Sequence, residues 1–411
     1  MIYDVVVAGA GPAGSTAARL LAREGATVLL LDRRRFPRDK PCGGGVTLRA
    51  AAALEVDLTP VIERTVYGAR FSLRLGSTFQ RRFRAPLTYM TQRCRLDSFL
   101  AERAAESGAD FRDGEGVRSI EANGGSGFSL TEPITIRTDS GPYAARIVIG
   151  ADGANGVVAR SAGLETQHEE AVALEGNVAF PAGIPERWRE YVGLDLGGLA
   201  GGYGWLFPKG DHLNLGVGAW KYAGFTLRPK LAQLCRRYGF DPAQISDVRG
   251  HHLPVRVPET PIAKGCVALI GDAAGLVDPL SGEGIHMAFA SARLAAQQAV
   301  ACLAGESPDM APYQQTVERR LQPELTVSRQ LQELFNFAPP PYAALMRHSE
   351  KFWLFFCHLL RGELTYLDFM RMIGPLRPAV DFFAQAAQRR RLSRVAAGTA
   401  IVRGKQPNLS F

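Results

Sequence analysis

Residues 2–32, IYDVVVAGAGPAGSTAARLLAREGATVLLLD, decide the fold of this chain. Residues 2–8 form an apolar run that is typical of a strand buried on both faces. The Ala- and Leu-rich residues 14–24 predict a helix that Gly25 closes, and residues 27–31 predict a second buried strand. Strand, helix and strand in this order predict a βαβ unit of a parallel sheet.

A glycine-rich turn, GAGPAG at residues 9–14, joins the first strand to the helix. In such a turn the first glycine permits the tight bend, the second lets the backbone approach a pyrophosphate, and the third lets the helix pack against the strand. The helix N-terminus adds free N–H groups and the positive end of a dipole. An acid at the end of the second strand would bind ribose hydroxyls. The predicted dinucleotide contacts are therefore Gly9, Gly11, Pro12, Ala13, Gly14, Asp32 and Arg33.

Two further turns favour FAD over NAD as the dinucleotide. GADG at residues 150–153 and GDAAG at residues 271–275 each follow a predicted buried strand, so each places an acid at the carboxyl edge of the sheet, where open α/β sheets bind ligands. Either acid alone would equally fit a helix cap or a turn. A helix predicted from Gly284 would aim its dipole at the flavin N1–C2=O edge. The predicted contacts from these turns are Asp152, Gly153, Gly271 and Asp272.

The remaining patterns predict the domain organisation. Strand and loop signals dominate residues 67–84 and 171–257, whereas the chain after Pro312 is mostly helical, with a break at residues 338–341. The predicted fold class is α/β (α+β): a Rossmann-type FAD-binding domain with a parallel sheet, an inserted antiparallel substrate domain and a C-terminal helical region. The predicted boundaries are 1–65, 92–165 and 258–305 for the discontinuous FAD-binding domain, 66–91 and 166–257 for the substrate domain, and 306–411 for the helical region.

Composition and charge narrow the class of protein. The 411 residues carry a formal charge of +8, which can attract phosphate or anionic lipid, but the basic residues lack aromatic interleaving, so no nucleic-acid partner is expected. The 6 cysteines show neither a CxxC pair nor zinc spacing, which predicts reduced thiols, no metal site and a cytoplasmic location. No apolar run reaches the roughly 18 residues of a spanning helix, so any membrane association is expected to be peripheral.

Four segments resemble the geranylgeranyl reductase family, within the FAD-dependent superfamily that contains p-hydroxybenzoate hydroxylase. They are GAGPAGSTAA at residues 9–18, PCGGG at 41–45, YGWLFPK at 203–209 and GDAAGLVDPLSGEGI at 271–285. The first and last are widespread among flavin hydroxylases. The middle two, in this order, are more specific to the reductases. The resemblance spans about residues 1–300.

The resemblance implies roles for individual residues. Arg93 resembles a flavin-contacting arginine, Asp272 the acid that binds the ribityl chain, and residues 282–285 the contact with the isoalloxazine pyrimidine. Cys42 matches the family cysteine near the reactive face of the flavin. The implied cofactor contacts are thus Cys42, Gly43, Gly44, Arg93, Asp272, Gly282, Gly284 and Ile285, and the implied substrate contacts are Tyr203, Trp205 and Phe207.

The reaction that the resemblance implies is the reduction of an isoprenoid C=C bond, by hydride from reduced flavin N5 and a proton from the site. Cys42 or His286 could donate the proton, although either side chain could also be structural. The predicted catalytic residues are Cys42, Tyr203, Trp205 and His286. No second GxGxxG unit follows, so the flavin would be reduced by NAD(P)H visiting the same cleft or by a donor protein such as reduced ferredoxin.

Two alternative functions remain open at this point. An FAD monooxygenase or halogenase acting on an aromatic or polyketide metabolite would share the fold. Against it, hydroxylases often carry Asn after the GxG turn, whereas here the turn reads Gly282-Glu283-Gly284-Ile285 and is followed by His286. Lys40, the nearest candidate for a halogenase lysine, lacks the matching neighbourhood. The second alternative is a quinone-linked electron-transfer flavoprotein, which usually needs an iron–sulfur cluster that no cysteine cluster here could hold.

Basic residues near two sites suggest contacts with an anionic substrate or surface. Lys209 and Arg256 could meet a pyrophosphate or phospholipid headgroup, and a solvated surface is the alternative. The arginines of the C-terminal region could contact an anionic membrane, as a lipid substrate would require, or could simply be solvated. These arginines are Arg389, Arg390, Arg391, Arg394 and Arg403.

Overall fold

A computed structural model describes residues 1–124, 127–164 and 166–403 of the chain. The strands are β1 (Ile2–Ala8), β2 (Val28–Asp32), β3 (Gly45–Thr47), β4 (Arg64–Val66), β5 (Gly68–Leu73), β6 (Thr78–Arg82), β7 (Thr88–Met90), β8 (Asp110–Asp113), β9 (Val117–Ala122), β10 (Ile134–Thr138), β11 (Pro142–Gly150), β12 (His168–Ala179), β13 (Tyr191–Leu199), β14 (Gly202–Pro208), β15 (His212–Trp220), β16 (Ser246–Arg256), β17 (Ala263–Lys264) and β18 (Val267–Leu269). The helices are α1 (Pro12–Arg23), α2 (Leu48–Leu54), α3 (Arg93–Glu106), α4 (Val158–Ser161), α5 (Leu227–Arg237), α6 (Ile285–Leu303), α7 (Ala311–Arg320), α8 (Gln322–Phe337), α9 (Pro339–His348), α10 (Glu350–Arg361), α11 (Tyr366–Met372) and α12 (Arg377–Arg403).

The first sheet has the strand order β17-β18-β11-β1-β2-β8, with β10 and β9 added beside β11. Strands β18, β11, β1, β2 and β8 run parallel to their neighbours in this row. The Val5, Val6 and Val7 side chains are fully buried in one hydrophobic core, to which residues of α1 and α6 also belong. The predicted βαβ unit and Rossmann-type sheet are confirmed, and the carboxyl ends of β1, β2, β11 and β18 share one edge.

The second sheet has the order β16-β12-β15-β14-β13-β5-β6 and is antiparallel except where β13 runs parallel to β5. A third sheet consists of three short strands in the order β3-β7-β4. Its strand β3 comes from the part of the chain predicted to bind FAD, whereas β7 comes from the part predicted to bind substrate. The fold class is therefore as predicted, and the exact domain boundaries stay a prediction.

The C-terminal region is helical and packs against the other two parts of the chain. The Tyr313 hydroxyl on α7 donates a 2.8 Å hydrogen bond to the Leu269 carbonyl of β18. Trp353 on α10 is buried against Phe71 of the second sheet. The helices α8 to α11 thus lie over the same edge of the molecule to which the first sheet points its carboxyl ends.

The structure refines two local predictions. Residues 227–237 form helix α5 inside the stretch predicted to be strand and loop. Leu227, Leu231, Leu234 and Cys235 are its buried residues, and their spacing is that of one helix face. The predicted break at residues 338–341 is confined to Ala338, because α9 begins at Pro339 and proline is tolerated in the first turn of a helix.

Within the described part of the chain, no helix is both long and apolar enough to cross a bilayer. The predicted helical region continues through α12 as far as residue 403. Residues 404–411 and the side chains of Arg394 and Arg403 lie outside what the structure describes.

Candidate active site

The glycine-rich turn brings β1, α1 and the end of β11 into close contact. Gly9 has a φ of +103°, and a Cβ there would lie 2.4 Å from the Ala151 carbonyl oxygen. A Cβ on Gly14 would lie 1.8 Å from the Gly9 carbonyl oxygen. Any side chain at either position would therefore push helix and strand apart, which is the reason for glycine at the first and third positions.

Gly11 differs from Gly9 and Gly14 because a Cβ there would meet only side-chain atoms, at ordinary van der Waals distance. The nearest atoms would be the guanidinium nitrogens of Arg38 and Arg93, at 3.6 and 3.8 Å. Gly11 is the N-cap of α1. Because glycine has no side chain, no capping group occupies the free N–H groups of the first helical turn. The turn therefore offers a bare backbone, a helix dipole and two cations to a phosphate.

A network of alternating arginine and aspartate side chains lies beside this turn. The Asp97 carboxylate accepts two hydrogen bonds from Arg93, at 2.7 and 2.8 Å, and one from Arg38 at 2.7 Å. Arg38 also contacts Asp32 at 3.2 Å, and Asp32 accepts the Ala10 N–H at 2.9 Å. Because Arg93 is buried, this network fixes both guanidinium groups beside the glycine turn.

The acids of the other two turns hold different partners. One Asp152 oxygen accepts the N–H groups of Val157 and Val158 and so caps α4, while the other is buried without a partner. Asp272 pairs with Lys40 at 2.8 Å. Burial alone would raise the pKa of Asp272, but Lys40 and His251 hold that pKa well below its usual value. Asp272 is therefore ionised. Asp152 uses one oxygen to cap α4 and leaves the other without a hydrogen-bond donor.

One cavity of about 710 Å³ connects these features. It begins at Gly9 and Gly11, passes Asp272 and the PCGGG loop, and continues between the second sheet and helices α8 to α11. Most of the sequence-predicted site residues line it. They are Gly9, Gly11, Pro12, Ala13, Asp32, Arg33, Cys42, Gly43, Gly44, Arg93, Asp152, Gly153, Tyr203, Trp205, Phe207, Asp272, Gly282, Gly284 and Ile285.

Three predicted residues do not line this cavity. Gly14 and Gly271 lie behind the wall as packing residues. His286 faces a small side pocket with Arg49 and Tyr366, and burial lowers the pKa of His286 to about 3. The imidazole is therefore neutral at physiological pH and set apart from the cavity, so the structure does not bring it to the place where a proton donor is needed.

The PCGGG loop and the YGWLFPK strand pack directly on each other. A Cβ on Gly43 would lie 2.7 Å from the Phe207 ring and 3.3 Å from the Trp205 Nε1 atom. The Trp205 indole donates a 2.8 Å hydrogen bond to Asn214 and lies over Gly216, where a Cβ would be 2.0 Å from the ring. The two motifs that are most specific to the resemblance therefore form one structural unit.

Lys209, at the end of that strand, is buried and not solvated. Its Nζ atom donates to the Gly43 carbonyl at 2.5 Å and to the Thr91 carbonyl at 2.8 Å. Burial lowers the pKa of Lys209 to about 8. Arg256 is also buried and contacts Glu318, so both interpretations offered for these residues, headgroup contact and solvated surface, are wrong for their present positions.

Two glutamates have partners that the sequence did not reveal, although Glu283 lies within residues 282–285, which were expected to contact the flavin. Glu175 on β12 accepts the Cys42 N–H at 2.6 Å, and Glu283 accepts the Thr47 hydroxyl at 2.8 Å. Burial raises the pKa of Glu175 and that of Glu283 to about 7. Both line the cavity. The available signal was a single acid inside an apolar strand, AVALEGNVA at residues 171–179.

The glycine turn, the paired arginines and the ionised Asp272 fit FAD, and together with the Rossmann-type sheet they define an FAD-binding oxidoreductase. Residues 2–194 match the family of FAD binding domains. A geranylgeranyl diphosphate reductase of Oryza sativa subsp. japonica is 31% identical over 362 residues, covering 80% of this chain and 74% of the relative. The menaquinone reductase of Mycolicibacterium smegmatis is 32% identical, covering 72% of this chain and 75% of the relative. This chain belongs to the geranylgeranyl reductase family.

Solved structures agree with this assignment. A geranylgeranyl bacteriochlorophyll reductase-like protein from Thermoplasma acidophilum is 26% identical with a TM-score of 0.71, covering 82% of this chain and 88% of that chain. A flavin-dependent brominase has a TM-score of 0.72 but is 19% identical, covering 96% of this chain and all of that chain. The brominase therefore shares the fold alone.

The glycine turn allows a matched pair of variants. We expect Gly11→Ala to keep the stability of the apoprotein and to weaken FAD binding at least tenfold, about 1.4 kcal/mol, because its methyl group would project toward the phosphate site. We expect Gly14→Ala to destabilise the apoprotein by about 1–3 kcal/mol, because its methyl group would overlap the Gly9 carbonyl. Urea unfolding and FAD titration of the apoprotein measure the two quantities. Wild-type FAD affinity in Gly11→Ala would contradict this placement of the pyrophosphate.

Proposed function

We propose that the protein reduces C=C bonds of an isoprenoid, geranylgeranyl-type substrate. The observation that carries this proposal is the apolar limb of the cavity, which leads from Trp205 to the C-terminal helices. Its walls are aliphatic and aromatic, and they include Leu194, Leu331, Phe335, Phe352, Phe355 and Phe369. A long apolar chain would gain about 25 cal/mol for each Å² that it removes from water there.

The residues around the reacting centre have separate tasks in this proposal. When bound, FAD supplies hydride chemistry, and the electrons come from NAD(P)H or a donor protein such as reduced ferredoxin. Trp205 and Phe207 form rigid apolar walls, because Asn214 and Gly43 fix their rings. Tyr203 donates its hydroxyl to the Ser281 carbonyl, and burial raises the pKa of Tyr203 above its usual range, so it holds the wall in position and is a poor acid.

The names of the relatives support the substrate class. Two of them are a geranylgeranyl diphosphate reductase and a menaquinone reductase, and the solved relative is a geranylgeranyl bacteriochlorophyll reductase-like protein. These substrates differ in their polar ends. The part of this chain that would select the substrate is therefore the apolar limb and not a dedicated headgroup site.

An anaerobic half-reaction tests the proposal. The FAD-loaded protein is reduced without oxygen and mixed with geranylgeranyl pyrophosphate, and flavin reoxidation and product mass are followed together. We expect reoxidation with a gain of two hydrogens per reduced bond. Geranyl pyrophosphate, which has the same headgroup, is the control. We expect its KM to be at least tenfold higher, because less apolar area is buried, each CH₂ being worth about 0.8 kcal/mol.

Other results of the same experiment would replace the proposal. Reduced protein that ignores every prenyl substrate, but consumes oxygen when an aromatic substrate is added, would be a monooxygenase or halogenase. Reoxidation by a quinone without hydrogenation of its side chain would identify an electron-transfer flavoprotein. Equal KM values for the two pyrophosphates would show that the apolar limb does not bind the chain.

The C-terminal helices also present an exposed apolar surface, which we propose rests on an anionic lipid bilayer. Its members are Met372, Leu376, Phe382 and Phe383, which are 53–66% exposed. They follow directly on Phe369, which lines the apolar limb, and the exposed Arg389 and Arg390 lie further along α12. An apolar surface beside basic residues fits the interface of an anionic bilayer, from which a prenyl lipid could enter the cavity.

Vesicle co-sedimentation tests this surface. We expect the wild-type protein to sediment with phosphatidylglycerol vesicles and only weakly with phosphatidylcholine vesicles. The double variant Phe382→Ser/Phe383→Ser should bind at least tenfold more weakly, because two aromatic side chains no longer insert, each worth roughly 1.5–3 kcal/mol when fully buried. Phe225→Ser is the matched control, since Phe225 is 84% exposed on the second-sheet side. Equal loss in both variants would contradict the assignment.

A further inference from the structure

Glu175 lies in a row of residues that crosses the cavity face of the second sheet. Trp205 on β14 pairs with Gly216 on β15, and Gly216 pairs with Glu175 on β12. Because Gly216 has no side chain, the indole of Trp205 covers it and extends along the row toward Glu175. The carboxyl group therefore borders the same space as the aromatic wall, on the side of the PCGGG loop.

The hydrogen bonds of Glu175 leave one of its oxygens for a proton. The Oε1 atom accepts the Cys42 N–H at 2.6 Å, so this oxygen acts as the carbonyl-like acceptor. Glu175 is 8% exposed and is one of the residues that line the cavity. A protonated carboxyl group can thus keep its bond to the loop and still present an O–H.

Three other acidic groups near the cavity are less suited to donate a proton. The Tyr203 hydroxyl is committed to the Ser281 carbonyl. His286 is neutral and faces the side pocket. Glu283 is the closest rival, but its carboxyl group accepts the Thr47 hydroxyl and borders that side pocket as well as the cavity.

We propose that Glu175 is the group that delivers the proton in alkene reduction. This inference rests on the proposed function. One alkene carbon receives the hydride, which brings both electrons, and the other forms its new C–H bond as the Glu175 O–H bond breaks. The electron pair of that O–H bond stays on the carboxylate. Water entering the cavity returns the proton between turnovers.

The charges around Glu175 set the pH range of this step. The nearby cations are Lys209, directly after β14, and Arg249, which lies opposite Glu175 on β16. Asp39 is an anion just before the loop, and Cys42 donates its N–H. Burial is the largest influence and raises the pKa of Glu175 from 4.5 to about 7. The folded state therefore favours the protonated form. Stability from this group is complete below the unfolded pKa and is lost as the pH rises through about 7.

The test compares Glu175→Gln, Glu175→Asp and Glu283→Gln in the FAD-loaded protein. Glutamine keeps an acceptor for the Cys42 N–H, so FAD absorbance and affinity should match the wild type. We expect Glu175→Gln to lower kcat by about 10²–10⁴-fold with little change in KM, and Glu175→Asp to restore part of the loss. The wild-type kcat should fall as the pH rises through about 7, and this fall should vanish in Glu175→Gln.

A second readout does not depend on turnover. In an infrared pH titration, the C=O band of a protonated carboxyl group should disappear near pH 7, and the Glu175 share of it should be absent from Glu175→Gln. The inference would be overturned if Glu175→Gln had the same kcat and pH profile as the wild type. It would also be overturned if the fall in kcat near pH 7 vanished in Glu283→Gln instead. In both cases prenyl reduction would stand. Failure of the wild type to reduce any prenyl substrate would instead overturn the proposed function, and the infrared band would still report whether Glu175 holds a proton.

Discussion

The contact between Gly14 and the Gly9 carbonyl is the constraint on which the remaining structure depends. With no side chain between them, α1 begins directly at the end of β1 and points its N-terminus along the carboxyl edge of the parallel sheet. The same edge receives the turns after β11 and β18. The phosphate site, Asp152 and Asp272 therefore share one cavity because helix and strand approach so closely at this point.

The PCGGG loop connects the site at the first sheet with the second sheet. An acidic and a basic side chain, both buried, bind the backbone of this loop. Glu175 accepts the Cys42 N–H, and Lys209 donates to the Gly43 carbonyl. Glycine at position 43 lets Phe207 and Trp205 rest against the loop backbone.

The sequence predicts those features that depend on local pattern. The βαβ unit, the glycine turn and the small-residue helix α6 follow from periodicity and from the conformational needs of glycine. Helix α5 was also readable from its spacing, but neighbouring strand signals obscured it. The contact of Glu175 with Cys42 joins residues 133 positions apart, so no local pattern could reveal it. His286 shows the converse, because a favourable residue type beside a glycine-rich turn says nothing about the direction of its ring.

Glu175 and Lys209 are costly residues to bury. Removing an ionisable group from water destabilises its charged form, which is why the pKa of Glu175 rises and that of Lys209 falls. A glutamine in place of Glu175 would fill a similar volume and keep an acceptor for the Cys42 N–H without this cost. Fixing the loop requires only an acceptor and a donor. A carboxyl group at the cavity wall can, unlike a neutral acceptor, also release a proton. A reaction in the cavity is the process that would use this proton.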